Sequence, residues 1–256
     1  MKATQNIKRN LLALFWVAFG FYGLKAAAPD NFFAQGNMAY KNGNFAEAIS
    51  QYLKARRQGV ESEALYYNLG NAYYKNNAIA EAILNYERAA KLAPDDEDVQ
   101  HNLKLANLKT TDRLQQVPQL AIVKSWDNFL HSKCSRSWAL ISAGLLWMAL
   151  LFFAIYLFMP SIKRVGFVFG ILLLLTAVTT TVFSFSQYQY EEHSGEAILM
   201  ADNAYVKSAP DGGATDLFLI HEGLKMQLLD QVGEWFKIRL ADGKVGWIPK
   251  DTFEKI

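Results

Sequence analysis

Two uninterrupted apolar runs dominate the hydrophobic pattern of the chain. Residues 138–159 and residues 165–185 contain no charged side chain, and each run is longer than the roughly 18 apolar residues that cross a bilayer core of about 30 Å. Helices of soluble proteins keep one polar face, which neither run has. The pattern therefore predicts transmembrane helices at 138–159 and 165–186, joined by a turn at residues 160–164 with the sequence PSIKR.

A shorter apolar stretch, residues 11–24, follows Lys2, Lys8 and Arg9 and precedes small residues. This order is typical of a secretory signal peptide or of a retained signal anchor, and the sequence leaves both open for residues 1–28. In either case the basic start stays inside the cell, and the chain after residue 28 is exported.

The export of residue 28 onward sets the topology of the whole chain. The first span then runs inward, and Lys163 and Arg164 lie in the cytoplasm, as the positive-inside rule favours. The predicted location is the cytoplasmic (inner) membrane, with two spans and with both flanking soluble regions on the periplasmic or exterior side.

An internal repeat fills the region before the spans. Aligning residues 31–55 with residues 65–89 pairs Gly36 with Gly70. The second copy resembles a tetratricopeptide repeat (TPR), because the residues at the motif positions are Leu69, Gly70, Tyr73, Ala82, Tyr86, Ala89 and Pro94. The resemblance implies an all-α TPR solenoid at residues 29–112, with repeats at 29–62 and 63–96 and a final helix that caps the array.

The same resemblance implies a concave binding surface, to which the first helix of each repeat contributes. Its residues in this sequence are Phe33, Asn37, Tyr40, Lys41, Tyr67, Asn71, Tyr74, Lys75 and His101. The side-chain amides of Asn37 and Asn71 suit an extended peptide backbone. Phe33 and Tyr67 stand where the carboxylate clamp of the family has basic residues. We therefore expect protein or peptide partners that are not held by a C-terminal carboxylate.

Residues 113–137 connect the repeats to the first span. One helical face of this linker carries the apolar residues Leu120, Val123, Trp126, Phe129 and Leu130. Aromatic side chains on such a face suit a helix that lies at the membrane interface. The face equally suits a second capping helix for the repeats, and the sequence leaves both open.

After the second span the pattern changes to short alternating runs between Gly and Asp turns, which predicts an all-β domain at residues 194–256. Residues 206–210, 221–223, 234–235 and 246–248 resemble a bacterial SH3 domain, which implies a small SH3-like barrel. The resemblance implies a groove with Tyr205, Trp235 and Pro249, whereas Trp247 is expected to be a core or barrel-closing residue rather than a ligand contact. Thr252 replaces the groove tyrosine of proline-binding relatives, so we expect a cell-wall (peptidoglycan) ligand rather than polyproline.

Composition and motif spacing argue against several classes of function. A net charge of +2 without a basic cluster gives no nucleic-acid-binding surface. The single cysteine, Cys134, excludes an intramolecular disulfide. The four histidines have no metal-ligand spacing, and no phosphate-binding loop or nucleophile motif occurs. We therefore expect no metal, no cofactor and no enzymatic activity.

The order of the modules along the whole chain resembles the repeat-plus-SH3 (BatE) type of the Bacteroides aerotolerance family. The resemblance implies a multi-domain membrane protein that acts as a periplasmic scaffold in tolerance of oxygen and oxidative or envelope stress. The partners it implies are von Willebrand A-domain membrane proteins and a MoxR-type ATPase system. Two hypotheses follow: an adaptor that recruits proteins through the repeats, or a protein that binds or senses peptidoglycan through the SH3-like domain.

Overall fold

The computed structural model describes residues 31–114, 120–193 and 195–256, so the predicted signal segment lies outside the described residues. The first region contains helices α1 (Asn31–Lys41), α2 (Phe45–Arg57), α3 (Glu63–Lys75), α4 (Ile79–Leu92) and α5 (Glu97–Asn107). Helices α6 (Ala121–Leu130), α7 (Ser135–Phe158) and α8 (Lys163–His193) follow, with a short 3₁₀ helix, Pro160–Ile162, between the last two. The last region contains strands β1 (Glu196–Leu199), β2 (Asn203–Lys207), β3 (Asp216–His221), β4 (Lys225–Val232), β5 (Trp235–Arg239), β6 (Val245–Pro249) and β7 (Phe253–Lys255).

The first region consists of two helix pairs, α1–α2 and α3–α4, followed by the single helix α5. The two helices of the second pair approach closely at Gly70, where an added Cβ would lie 2.7 Å from the ring of Tyr86. Gly36 meets the ring of Tyr52 in the same way in the first pair. A glycine is required at both positions because the tyrosine of the second helix fills the space above it.

Local sequence signals set the ends of these helices. The Ser62 hydroxyl accepts a hydrogen bond from the Leu65 N–H at 3.2 Å and caps α3. The Asp96 carboxylate accepts from the N–H groups of Asp98 and Val99 and caps α5. Such caps satisfy backbone donors that have no partner within the helix. Asp96 therefore stabilises the start of α5.

Helices α7 and α8 form an antiparallel hairpin, and both are long and apolar enough to cross a membrane. At the turn end, an added Cβ on Gly166 would lie 2.7 Å from the backbone N of Tyr156, so the two backbones approach closely there. Further along, the Ser142 hydroxyl lies 2.7 Å from the Thr181 hydroxyl. With 31 residues, α8 is about 46 Å long. It therefore extends beyond the apolar run that ends at residue 185.

Helix α6 lies against the open end of this hairpin. The ring of Trp126 contacts the ring of Phe183 at 5.8 Å, and the ring of Phe129 contacts the ring of Trp138 at 5.6 Å. Leu120 and Val123 of the same face are exposed, and the adjacent Ile122 is 78% exposed. No residue of α6 is buried.

The seven strands form one antiparallel sheet in the order β3-β2-β6-β5-β4-β1-β7. Burial alternates along its strands: Ala204 and Val206 of β2 are buried, and Tyr205 between them is exposed. Alternation of this kind gives the sheet one core face and one outer face.

The sheet packs directly against the repeats, a contact that the sequence did not predict. Ala197 and Leu199 of β1 lie in the core of the sheet. Ile198 points the other way and packs in one cluster with Ile83 and Tyr86 of α4. Strand β1 is consequently buried on both faces.

Charged groups surround this apolar contact. Lys225 Nζ lies 2.9 Å from Glu87 Oε2 of α4 and 3.0 Å from Glu196 Oε2 of β1. Burial alone would lower the pKa of Lys225, but the two carboxylates outweigh burial and raise its pKa above the usual range. Lys91 of α4 donates to the backbone oxygens of Glu191 and Ile256, both at 3.2 Å. The repeats, the sheet and the C-terminal end of α8 are thus directly connected.

Candidate binding surfaces

The repeats carry a hydrogen-bonded ladder that recurs once in each repeat. Asn37 Oδ1 accepts from the Tyr52 hydroxyl at 2.8 Å and from Asn68 Nδ2 at 3.1 Å. The equivalent group in the second repeat, Asn71 Oδ1, makes the equivalent contacts. It accepts from the Tyr86 hydroxyl at 2.7 Å and from Asn102 Nδ2 at 2.9 Å. Each ladder step joins a helix pair to the first helix of the next unit.

The ladder fixes the orientation of the two predicted peptide-binding amides. Both lone-pair regions of each Oδ1 face the protein, which leaves the Nδ2 groups of Asn37 and Asn71 as the available donors. Burial, followed by the charge of Tyr40, raises the pKa of Tyr52 to about 12. Burial likewise raises the pKa of Tyr86. Both tyrosines therefore remain protonated hydrogen-bond donors at neutral pH.

Three tyrosines line the same side of α1 and α3. Tyr67 and Tyr74 pack against the cluster that contains the buried Tyr86, and the ring centre of Tyr67 lies 6.2 Å from that of Tyr86. The Tyr67 hydroxyl also accepts from Asn102 Nδ2 at 3.0 Å. Lys109 Nζ lies 4.2 Å from the centre of the Tyr74 ring, close enough for a cation–π interaction. The surface is therefore aromatic along its centre, with a cation at one edge.

The remaining predicted residues differ in their exposure. Lys41, Lys75 and His101 are exposed. Phe33 is partly buried, and its ring centre lies 5.9 Å from that of Tyr52, so it contributes to packing between α1 and α2.

Strand register places Tyr205, Trp235 and Pro249 on the outer face of the sheet. Trp235 of β5 pairs with Pro249 of β6, and residues directly opposite in antiparallel strands share a face. Tyr205 of β2 is 54% exposed, whereas Trp235 and Pro249 are partly buried. The proposed groove residues thus belong to one face of adjoining strands.

Trp247 also lies on this outer face and not in the core, which was the first of its two expected places. It pairs with Lys207 of β2 and Lys237 of β5 and is only partly buried. Its neighbour Gly246 occupies a position on the inner face, where an added Cβ would lie 2.9 Å from the backbone oxygen of Lys207. A glycine at the crowded inner position turns the adjacent tryptophan outward.

Three residues that contact this surface were not among the predicted ones: Asn68, Asn102 and Lys109. Asn68 and Asn102 occupy equivalent positions in successive units, as do Lys75 and Lys109. Extending the repeat alignment to every polar residue of α3, of α5 and of the turn after α5 would have found them.

The described residues contain no group of three or more His, Cys, Asp and Glu side chains arranged to hold a metal ion. His221 is paired with Asp112 instead, with Nδ1 3.0 Å from Asp112 Oδ1. This pair joins the sheet to the segment after α5.

Comparison with known families identifies both soluble modules. Residues 33–97 match the tetratricopeptide repeat family, and residues 202–254 match the bacterial SH3 domain family. No curated protein matches the chain. Tetratricopeptide repeats support protein–protein interaction, and a bacterial SH3 domain supports cell-wall binding; both are typically non-catalytic binding domains.

Proposed function

We propose that this protein is a membrane-anchored scaffold that recruits partner proteins through the concave surface of its repeats. One observation carries the proposal: Asn37 and Asn71 are held by equivalent ladder bonds, and each keeps its Nδ2 donors available. Donors that recur once per repeat suit the carbonyl groups of an extended chain. The aromatic side chains of Tyr40 and Tyr74 supply apolar contact beside them.

The α7–α8 hairpin supports the anchoring role. Its side chains are largely exposed and apolar, which suits contact with lipid. We place the hairpin in the inner membrane and both soluble modules in the periplasm, with Lys163 and Arg164 in the cytoplasm. On the resemblance of the whole chain, the partners are von Willebrand A-domain proteins and a MoxR-type ATPase system that act in aerotolerance.

The direct test is purification of the full chain from native membranes in mild detergent, with mass spectrometry of the proteins that accompany it. Replacing Asn37 and Asn71 with alanine would leave the Tyr52 and Tyr86 hydroxyls without acceptors and would disturb the fold. Asn37→Asp with Asn71→Asp keeps an acceptor oxygen in place and removes the outward donors. We expect the partner to be retained by the wild type and lost from this double variant.

A matched control is available within the same repeats. Asn42 and Asn76 are exposed, also occupy equivalent positions in the two repeats and lie at the turns after α1 and α3. Asn42→Asp with Asn76→Asp makes the same change in charge outside the concave surface and should retain the partner. Retention of the partner by both double variants would refute recruitment through the concave surface.

The outer face of the sheet favours a second candidate function, binding to peptidoglycan. Tyr205, Trp235 and Trp247 present aromatic rings on the outer face of β2, β5 and β6, whereas the repeats contact the outer face at β1, in another part of the sheet. Aromatic groups of this kind commonly anchor ligands at binding surfaces. If this function is correct, full-length protein should co-sediment with isolated peptidoglycan, and Trp235→Ala should abolish the association. Sedimentation that is unchanged in Trp235→Ala would exclude this face.

A further inference from the structure

Three lysines occupy the same position in successive units of the repeat region. Lys41, Lys75 and Lys109 are separated from one another by one repeat length each, and all three are exposed. Lys41 and Lys75 end α1 and α3, and Lys109 follows α5. Because Lys109 lies over the ring of Tyr74, it stands beside the concave surface of the preceding repeat. The three ammonium groups therefore form a row, which we call the lysine row.

The lysine row lies away from the acidic residues of its own helices. Among the described residues none of its members forms an ion pair, whereas Lys207, Lys225 and Lys244 do. The acidic residues of α3 and α5 lie in the first helical turn, at the opposite end of each helix. A lysine in a last turn also interacts favourably with the helix dipole, but Lys109 lies beyond the end of α5. The row leaves positive charge unpaired along one edge of the concave surface.

The spacing of the row follows from the helix arrangement. Asn37 of α1 bonds to Asn68 of α3, and Asn71 of α3 bonds to Asn102 of α5, so these helices are direct neighbours. Neighbouring helix axes lie about 8–10 Å apart. An extended chain rises about 3.3 Å per residue. One step of the row therefore matches about three residues of an extended peptide.

The third unit ends the surface with a different chemistry. Leu105 and Leu108 occupy the positions held by Asn71 and Tyr74 in the second repeat, and both leucines are exposed, Leu108 by 59%. The surface thus offers side-chain amide donors in two units and an apolar contact in the third.

We infer that the concave surface binds an extended acidic segment of a partner protein, with a carboxylate at about every third residue and an apolar residue at one end. The carboxylates pair with the lysine row, the Nδ2 groups of Asn37 and Asn71 hold the peptide backbone, and Leu105 and Leu108 contact the apolar residue. This inference rests on the proposed function, because it names the chemistry of the partner that the repeats recruit.

The test is fluorescence anisotropy of the full chain in detergent with three synthetic ten-residue peptides. The first peptide carries Glu at positions 2, 5 and 8 and Leu at both ends, so that either chain direction presents an apolar residue. The second has the same composition with the three Glu adjacent, and the third has Gln in place of Glu. We expect the first peptide to bind best and its affinity to fall as salt is raised.

The protein variant is Lys41→Gln with Lys75→Gln and Lys109→Gln. Exposed ion pairs each change an equilibrium by a factor of about 1.4 to 5, so we expect the Kd for the first peptide to rise about tenfold. Lys104, Lys124 and Lys250 are exposed lysines outside the concave surface. Changing these three to glutamine gives the same net charge and should leave the Kd within about twofold.

Two outcomes overturn the inference: equal binding of the Glu and Gln peptides, or equal loss of affinity in the two triple variants. A failure of all three peptides to bind also overturns the inference. If the wild type still recruits a partner that Asn37→Asp with Asn71→Asp loses, the proposed function stands and only the acidic chemistry is wrong. If that partner is also absent, both fail.

Discussion

The Tyr52 hydroxyl links the stability of the first repeat to its binding surface. It donates to Asn37 Oδ1 at 2.8 Å, and the side chain is almost completely buried. We expect Tyr52→Phe to lower the free energy of unfolding by about 1 kcal/mol at pH 8, because one hydrogen bond is lost. Urea unfolding of the full chain in detergent, followed by circular dichroism, measures the change.

The raised pKa of Tyr52 also predicts a dependence on pH. In the unfolded chain a tyrosine ionises near pH 10, whereas in the folded protein the pKa of Tyr52 is about 12 because of burial and the charge of Tyr40. This contribution to stability is complete below pH 10 and is lost as the pH rises toward 12. Tyr52→Phe should therefore show a shallower decline over that window. Tyr205→Phe, which changes an exposed ring, should behave as the wild type at every pH.

At the scale of elements, the contact between the repeats and the sheet can be tested at one glycine. Gly223, between β3 and β4, has a φ of 80°, and an added Cβ would lie 3.0 Å from Thr110 Cγ2 and 3.1 Å from Ile83 Cδ1. Gly223→Ala should separate the sheet from α4, because the crowding adds about 1–3 kcal/mol to the backbone strain. Trypsin should then cleave after the exposed Arg113 several times faster than in the wild type.

Gly233, between β4 and β5, is the control for this experiment. Its φ is 57°, and nothing lies within 4 Å of an added Cβ. Gly233→Ala therefore carries backbone strain of about 1–2 kcal/mol without crowding between the modules. Equal acceleration of cleavage in both variants would mean that the modules do not dock through Gly223.

The elements themselves could be predicted from the sequence, because each depends on local periodicity. The regular repeat spacing identified the helix pairs, and the two runs without charge identified the hairpin. Docking could not be predicted, since Arg88 and Glu254, which approach to 2.8 Å, are separated by 166 residues. The alternation of β1 likewise gave no sign that Ile198 would be buried by α4 rather than exposed. For the site, the motif positions identified Asn37 and Asn71. They did not reveal the hydrogen bonds that the Oδ1 atoms of both residues accept within the repeats.

At the scale of the whole molecule, one polar cluster joins the hairpin to the soluble modules. The Glu191 carboxylate accepts from the Ser135 N–H at 2.8 Å and so caps α7 from the facing helix. The backbone oxygen of the same residue accepts from Lys91 of the repeats. With the proposed anchoring, a partner held by the repeats would be held close to the membrane surface. Its location in the periplasm requires the open end of the hairpin to lie outside the cytoplasm.

The single cysteine of the chain lies at that end and tests the topology. Cys134 precedes α7 and is partly exposed, with Sγ 3.3 Å from the Ser137 hydroxyl. With the proposed topology, a membrane-impermeant maleimide should label Cys134 in intact spheroplasts. In a Cys134→Ser, Ser161→Cys variant the thiol lies in the exposed turn between the spans. This variant should be labelled only after the membrane is permeabilised, because Ser161 adjoins the cytoplasmic Lys163 and Arg164.

Each alternative topology gives a different labelling pattern. Labelling of residue 161 but not residue 134 in intact spheroplasts would show an inverted hairpin and would place both soluble modules in the cytoplasm. Equal labelling of both positions before permeabilisation would show that the hairpin does not span the membrane. Labelling of each protein in denaturant confirms that its thiol reacts, so failure to label in spheroplasts then reports the membrane barrier. The proposed periplasmic scaffold requires labelling of Cys134 in intact spheroplasts and of residue 161 only after permeabilisation. Only that orientation exposes the lysine row to partners outside the cytoplasm.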